Sequence, residues 1–310
     1  MPITVTQLTA FLAVVRRGSV TAAAEELVVT QPSVSSAIGA LGRELGCELF
    51  VRAGRGIRLT EAGLAYEPYA ADVIGLLGHG RQAALEAAAV AERRLQIAAV
   101  TTAAESFVPP LMKGFSEQYP EIELTLEVGN REVVLARVLG HLVDVALAGR
   151  PPAEDRLLAQ PLIENDIICI TAPGDPVADG PALDVSELSE RTWLLREPGS
   201  GTRVLNERFL NERGMHPQTL MLGSNGAIKQ AAAAGLGVSL TSRAAVEAEL
   251  ESGHLAEIPL EDGPPTRPWF VLCSAVGPLR PPVQSFISFA REWAKHAARA
   301  PQTASARTSG

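Results

Sequence analysis

The sequence is poor in cysteine. Cys47, Cys169 and Cys273 stand far apart with no CxxC pair, so neither a disulfide framework nor a cysteine zinc site is expected, and the compartment reads as reducing. Histidine is equally thin: His79, His141, His216, His254 and His296 fall in separate segments with no HExxH spacing. A GxSxG elbow, a GxxxxGK[ST] loop and a GxGxxG after a strand are all missing, which argues against an enzyme and leaves no metal or cofactor to expect. The fragment AGLGVSL stops at GLG and reads as a helix-to-strand turn. MPITVTQLTAFLAVVRRGS is amphipathic and runs straight into more helix, so it resembles neither an export signal nor a membrane span, and a cytoplasmic location is expected. A transport-type solute-binding protein would need that export signal.

Positive charge is also in short supply. The net charge is -8, yet residues 1 to 65 hold six arginines (16, 17, 43, 52, 55, 58) against five acids, a local net of +1 that leaves about -9 for the remainder. Any contact with a phosphate backbone must therefore be confined to the N-terminal end.

That end is dense in helix signals. Gln7 to Arg17 places Leu8, Phe11, Leu12 and Val15 on one face and stops at Gly18. Ser19 offers an N-cap for a helix through Leu27, whose Ala22, Ala23 and Ala24 permit a close crossing. After a Val-Val turn, Thr30 can cap a third helix with Pro32 in its first turn, Val34, Ile38, Leu41 and Leu45 on the buried side, and Gly46 as its stop. Two helices joined by a short turn, with another behind, form a helix-turn-helix, whose second member enters the DNA major groove. Its outward residues, Gln31, Pro32, Ser33, Ser35, Ser36 and Ala40, are short and mostly polar, as close approach to base edges requires. Leu49 to Arg52 and Gly56 to Thr60 then read as two strands around AGRG, a wing carrying Arg52, Arg55 and Arg58 suited to phosphates. A three-helix bundle with a solvated face is the plainer alternative.

Thr60 can cap a long helix from Glu61 to about Glu92, with Ala62, Leu64, Tyr69, Val73, Leu76, Leu77, Ala84 and Ala87 as an apolar stripe and Gly75, Gly78 and Gly80 weakening its middle. A second copy could bury that stripe, and a two-fold dimer suits a pseudo-palindromic site; packing on its own C-terminal domain is the alternative. From Leu95 the rhythm changes to strand and helix in alternation. LQIAAV is followed by a helix over Thr101 to Gln118. IELTLEV sets Ile122, Leu124, Leu126 and Val128 inward, Asn130 to His141 is helical, and VDVALAG is a buried strand. IICITAP, RTWLL, TLMLG, GVSLTS, LAEIPL and PWFVLCS continue the strands, and Pro282 to about Ala298 forms the last helix. This is the rhythm of parallel sheets with crossover helices.

Ligands in such sheets bind beyond strand carboxyl ends, against helix N-termini. That rule selects Thr101 and Thr102 in VTTAAES, and Arg131 and Arg150 after two further strands. It also selects Ser200, Gly201 and Thr202 in REPGSGTR with Arg196 and Arg203, and Ser224 and Asn225 in GSNGAIKQ. Hydroxyls and arginines converging on one cleft suit a small carboxylate or phosphate ester.

Residues 3 to 65 resemble the winged helix-turn-helix of the LysR-type transcriptional regulators. AAxxLxxTQPxVS, LGxxLF and the run F-x-R-x-x-R-x-x-x-LT-x-AG from Phe50 to Gly63 carry the resemblance. It implies an N-terminal all-α winged helix-turn-helix (1–60) and a long linker helix for dimerisation (61–92). An α/β two-lobed periplasmic-binding-protein-like domain then follows, with lobe one at 93–162 and 268–298 and lobe two at 163–267. The polar tail 299–310 is expected to be disordered. The chain is expected to cross between lobes near Ile163 and to return near Gly263 to Pro268. The implied function is DNA-binding transcriptional regulation controlled by a small anionic effector, not catalysis. Thr30, Gln31, Pro32, Ser33, Ser35, Ser36, Arg52 and Arg55 would contact DNA, as a homodimer or homotetramer, with RNA polymerase as a further partner. The rival is a cytoplasmic small-molecule-binding or enzymatic α/β protein whose N-terminal helices only dimerise. Two departures stand out: many members carry a basic residue and then Gln where this chain has Ser36 and Ala37, and a lysine and a tyrosine where it has Ala104 and Glu105. Glu105 would repel a polyanion if it faced the cleft. Within the family, VGNREVV, GRPP and REPGSGTR are most similar to the regulators of carbon-fixation (RuBisCO) operons, whose effectors are phosphorylated sugars or reduced nicotinamide cofactors.

Overall fold

In the computed structural model, described here for residues 2–53, 56–88 and 93–297, Thr4 opens the first helix two residues before the expected start. Its hydroxyl accepts from the Gln7 backbone N–H (3.3 Å) and the Gln7 side chain accepts from the Thr4 N–H (2.7 Å). This reciprocal capping box sets α1 at Val5–Arg17. Gly18 (φ 60°) ends it, and Ser19 caps α2, Val20–Leu27. Ala23 and Ala24 are buried against Ala13, Val14 and Val34, which is the close crossing that small side chains allow. Thr30 caps α3, Gln31–Leu45, by accepting from the Ser33 N–H (3.4 Å), and Gly46 (φ 72°) ends it. Val28 turns the chain between α2 and α3 in the left-handed region (φ 56°) and is 90% exposed. Strands β1, Phe50–Ala53, and β2, Gly56–Leu59, pair antiparallel as the wing.

Thr60 caps α4, Glu61–Ala87. The expected extension of that helix to Glu92 lies outside the described residues, as does the 299–310 tail. Along α4, one face carrying Tyr66, Ala70, Ala71 and Ile74 packs on the core built around Phe11 and Leu41. On the stripe read from the sequence, Leu64, Tyr69, Val73 and Leu77 are exposed. The described residues divide into two compact units, one holding the elements up to α4 and the other the sheets that follow.

The second unit has two lobes. A five-stranded sheet orders as β4-β3-β5-β12-β6: β3 Arg93–Val100, β4 Ile122–Gly129, β5 Val145–Ala148, β6 Leu157–Asn165 and β12 Arg267–Ser274. Only β3, β4 and β5 run parallel; β12 is antiparallel to both β5 and β6. The parallel pattern holds for β3, β4 and β5 but does not extend to β12, which returns directly from the other lobe without the crossover helix that a parallel connection needs. Strand β6 had no expectation in the sequence. It is an edge strand with an irregular burial pattern, and Pro161 is tolerated there because it is paired on one side only. It remains in this sheet up to Asn165, so the chain crosses to the other lobe between Asn165 and Ile167.

The single helix expected over Thr101 to Gln118 is two, α5 Thr101–Ala104 and α6 Val108–Gln118. Pro109 and Pro110 have no backbone N–H to bond back to the carbonyls of Glu105 and Ser106, so a continuous helix cannot form and they sit in the first turn of the second. Leu111 and Phe115 of α6 join Leu95, Ile97, Leu147 and Phe286 in the lobe's core. Phe286 comes from α11, Pro281–Ala297. Ile122 is buried there with Leu124 and Leu126 beside it, but Val128, expected inward, is 54% exposed at the strand's far end, outside that core. Helix α7 spans Arg131–Leu139.

In the second lobe, β7 Ile167–Thr171 is flanked antiparallel by β10 Ser239–Ser242 and β11 Ala256–Ile258. β8 Trp193–Arg196 pairs parallel with β9 Thr219–Leu222. Helices α8 Gly201–Glu212, α9 Asn225–Ala233 and α10 Glu247–Glu251 complete it. Buried Asn206 fixes α8 to the sheet: its amide donates to the Thr202 and Leu240 carbonyls, and its oxygen accepts from the Leu240 N–H, each at 2.9 Å.

Candidate functional site

On the N-terminal unit, the residues read as facing DNA form one exposed surface. Thr30, Gln31, Pro32, Ser33, Ser35 and Ser36 are all exposed at the start of α3, while Val34 is buried beneath them. Thr30 and Ser33 spend part of their capacity on each other, their hydroxyls 2.8 Å apart. Arg52 and Arg58 are exposed on the wing; Arg55 lies outside the described residues. Of the remaining arginines of this unit, Arg16 and Arg17 both donate to Glu26. The Arg16 hydrogen bond, with that of Arg17, holds the Glu26 carboxyl below its ordinary range. Glu26 thus offsets one of the two positive charges of Arg16 and Arg17, while Arg43 on α3 and Arg52 and Arg58 on the wing stay exposed.

Between the two lobes of the other unit is a cavity of about 270 Å³. The carboxyl ends of β3, β4 and β5 deliver Thr101, Thr102, Arg131 and Arg150 to it. The turn from β8 into α8 delivers Arg196, Ser200, Gly201 and Thr202. Ser200 is buried and stands at the N-cap of α8 without making a side-chain cap bond, and Gly201 follows at the helix start. The hydroxyl is thereby left over, next to the unbonded amides of a twelve-residue helix.

Three of the sequence-selected residues do not line the cavity. Arg203 turns to Glu207 (2.8 Å) and the Arg196 carbonyl (3.2 Å). Ser224 caps α9 by accepting from the Ala227 N–H at 3.1 Å. Asn225 lies behind the wall, 5% exposed: its oxygen accepts from Arg196, and its Nδ2 donates to Thr102 Oγ1 (3.2 Å) and to Glu105 (2.9 Å). Glu105, the departure noted above, is therefore engaged by Asn225 and does not line the cavity. A second lobe-to-lobe contact closes another side, where the Glu132 N–H donates to the Gly199 carbonyl (3.2 Å).

Sequence reasoning missed Asn130, Asn165, Ser242, Arg267 and Trp269 on the cavity wall. Arg267 matters most. Burial, followed by the like charges of Arg208, Arg131 and Arg150, pulls its guanidinium below the ordinary arginine value. Arg196 is balanced differently. It is 4% exposed and grips Glu197 with two hydrogen bonds, 2.7 and 2.9 Å. Burial alone would raise the Glu197 carboxyl, and the Arg196 hydrogen bond leads the contacts that hold it low instead. Among the described residues, four arginines and no carboxylate line the cavity. Arg131, Arg150 and Arg267 repel one another there, and a bound anion would relieve that repulsion. The wall offers donors but no histidine, cysteine or carboxylate to move a proton.

Comparison with known proteins accords with both surfaces. The family description "Bacterial regulatory helix-turn-helix protein, lysR family" matches residues 5–64, and "LysR substrate binding domain" matches residues 88–295. The RuBisCO operon transcriptional regulator of Allochromatium vinosum is 36% identical over 93% of this chain and 96% of its own length. The regulatory domain of Synechocystis CcmR, solved in complex with 2-phosphoglycolate, is 32% identical at a TM-score of 0.62, covering 65% of this chain and 97% of that one. Full-length CbnR in complex with its target DNA shares the fold: TM-score 0.59, 21% identity, 93% of this chain and 99% of that one. The match at 5–64 sets aside the reading in which the N-terminal helices only dimerise. The chain belongs to the LysR family and is a DNA-binding transcriptional regulator with an effector-binding domain.

Proposed function

We propose that the effector is a small phosphorylated carboxylate of the 2-phosphoglycolate type, held between the lobes by Arg131, Arg150 and Arg267, with Thr101, Thr102, Ser200, Gly201 and Thr202 supplying neutral donors. The observation that carries the reading is the cluster of mutually repelling guanidinium groups around a cavity with no lining carboxylate. Size is compatible with the same class: ligand pockets span roughly 300–1,000 Å³, and a cavity of about 270 Å³, at the small end, accommodates a few-carbon phosphoester. The ligand of the CcmR regulatory domain is of this class.

The DNA-binding surface in this reading is Thr30, Gln31, Pro32, Ser33, Ser35 and Ser36 on α3, with Arg52 and Arg55 of the wing on phosphates. Two copies pair through the exposed stripe of α4, the homodimer reads a pseudo-palindromic operator in the cytoplasm, and pairs of dimers form a homotetramer that meets RNA polymerase. The domain limits in this reading are those of the sequence, except that the first lobe keeps β6 to Asn165 before the chain passes into β7. Effector binding changes DNA affinity only as far as it prefers one arrangement of the heads.

Fluorescence anisotropy with the intergenic DNA upstream of the chain's own gene tests this. Expected is tighter binding than to random duplex at matched salt, altered by 2-phosphoglycolate, with sedimentation giving a dimer or tetramer. Equal affinity for both duplexes would refute the DNA surface; absence of 2-phosphoglycolate binding by calorimetry would refute the effector class.

A further inference from the structure

Asn225 has one hydrogen-bonding orientation open to it. Arg196 is donor-only, so the amide oxygen must face it; the amide nitrogen then faces Thr102 Oγ1 and the Glu105 carboxylate. Thr102 and Glu105 belong to the first lobe, Arg196 and Asn225 to the second. Ser224 already caps α9, so the Asn225 side chain is not occupied with its own helix. Both partners on the cavity side, Arg196 and Thr102, line the cavity. All of this is buried except Glu105.

We propose that Asn225 and Glu105 are positioning residues: they clasp the two lobes together behind the cavity wall and so set the effector concentration at which the lobes stay closed. An anion that draws on Thr102 or Arg196 pulls on the same clasp, and a chain without it must close its lobes at the expense of binding free energy. The inference rests on the effector reading above for its ligand, but the clasp itself exists without ligand.

The test uses the full chain. Asn225→Asp is nearly isosteric, keeps the acceptor for Arg196, and sets a carboxylate against Glu105. Hydrogen exchange of the ligand-free protein should quicken at the α5 and α9 amides. The Kd for 2-phosphoglycolate should rise about tenfold, the scale of one charged hydrogen bond. Adding Glu105→Gln restores a donor opposite the new carboxylate, and both readouts should return towards wild type. Glu105→Ala removes the Asn225–Glu105 bond alone, from an exposed position, and should quicken the same amides to a smaller extent, should Asn225→Asp fail to fold. Unchanged exchange in the single variants overturns the clasp. Faster exchange that Glu105→Gln does not reverse also overturns it, since a packing defect alone gains nothing from a restored donor. Faster exchange with an unchanged Kd overturns the link to the effector. If the wild-type chain does not bind 2-phosphoglycolate, the effector reading fails by itself and the exchange arm still decides the clasp.

Discussion

Replacing Arg267 by Gln should have two effects of opposite sign. The folded chain holds this guanidinium below its ordinary value, through burial first and then the charges of Arg208, Arg131 and Arg150. A cation whose folded value is depressed destabilises the fold while it is charged, and the cost lifts only as pH rises past the folded value. Arginine remains charged at every working pH, so the cost is constant, and removing the charge should leave the ligand-free chain as stable as before or more so. Binding should move the other way. A hydrogen bond from a charged donor contributes about 1.5–3 kcal/mol and a neutral one about 0.5–1.5. The midpoints differ by about 1.2 kcal/mol, which is roughly eightfold, or nearly tenfold, in Kd. Thermal melts with and without 2-phosphoglycolate read both at once. A ligand at 100 times its Kd stabilises by about 2.7 kcal/mol, and at ten times by about 1.4, so the ligand-induced rise in Tm should be about halved at one fixed concentration. Arg267→Lys, which keeps the charge but not the planar fork, should fall between. A variant that melts lower without ligand yet keeps the full ligand shift would refute the reasoning, because it would make Arg267 an ordinary structural arginine.

Three further outcomes are expected. Arg52→Ala should weaken binding to all duplexes alike and reduce the slope of log affinity against log salt by about 0.9, the value of one phosphate contact; an unchanged slope removes Arg52 from the backbone. Val28→Asn should stabilise the N-terminal unit by about 1 kcal/mol, since a β-branched residue in the left-handed region costs roughly 1–2 kcal/mol and Val28, 90% exposed, gives up little packing. Calorimetry showing a lower melting temperature would reverse that assignment. Gly63→Ala should abolish DNA binding while sparing 2-phosphoglycolate binding, because the added Cβ would lie 2.2 Å from the Leu49 carbonyl oxygen, backbone that cannot yield without moving the start of α4; normal operator affinity in anisotropy would contradict it.

What could be read from the sequence follows the range of the interactions. The N-terminal elements are written in local signals: Ser19, Thr30 and Thr60 each cap the helix expected of them, and Gly18 and Gly46 each end one with positive φ. Thr101, Arg131, Arg150 and Ser200 reach the cavity because each follows a strand whose apolar run is legible by itself. Arg267 and Asn165 were hidden for the converse reason. They belong to the two crossing segments, one a proline-bearing edge strand and the other a return strand whose antiparallel direction depends on tertiary pairing that alternation does not encode. Asn225 was recognised as polar and close to the site, but its role needed the positions of Arg196 and Glu105.

Arg267 and Asn165 are also direct partners in the β12–β6 register, at the place where the chain leaves and re-enters the first lobe. Any ligand resting on this pair touches the fulcrum rather than the jaws. A small displacement there is magnified along the length of each lever arm, whereas the same displacement at the rim would be absorbed by side chains. A ligand of only a few atoms placed there would bear on both lobes at once.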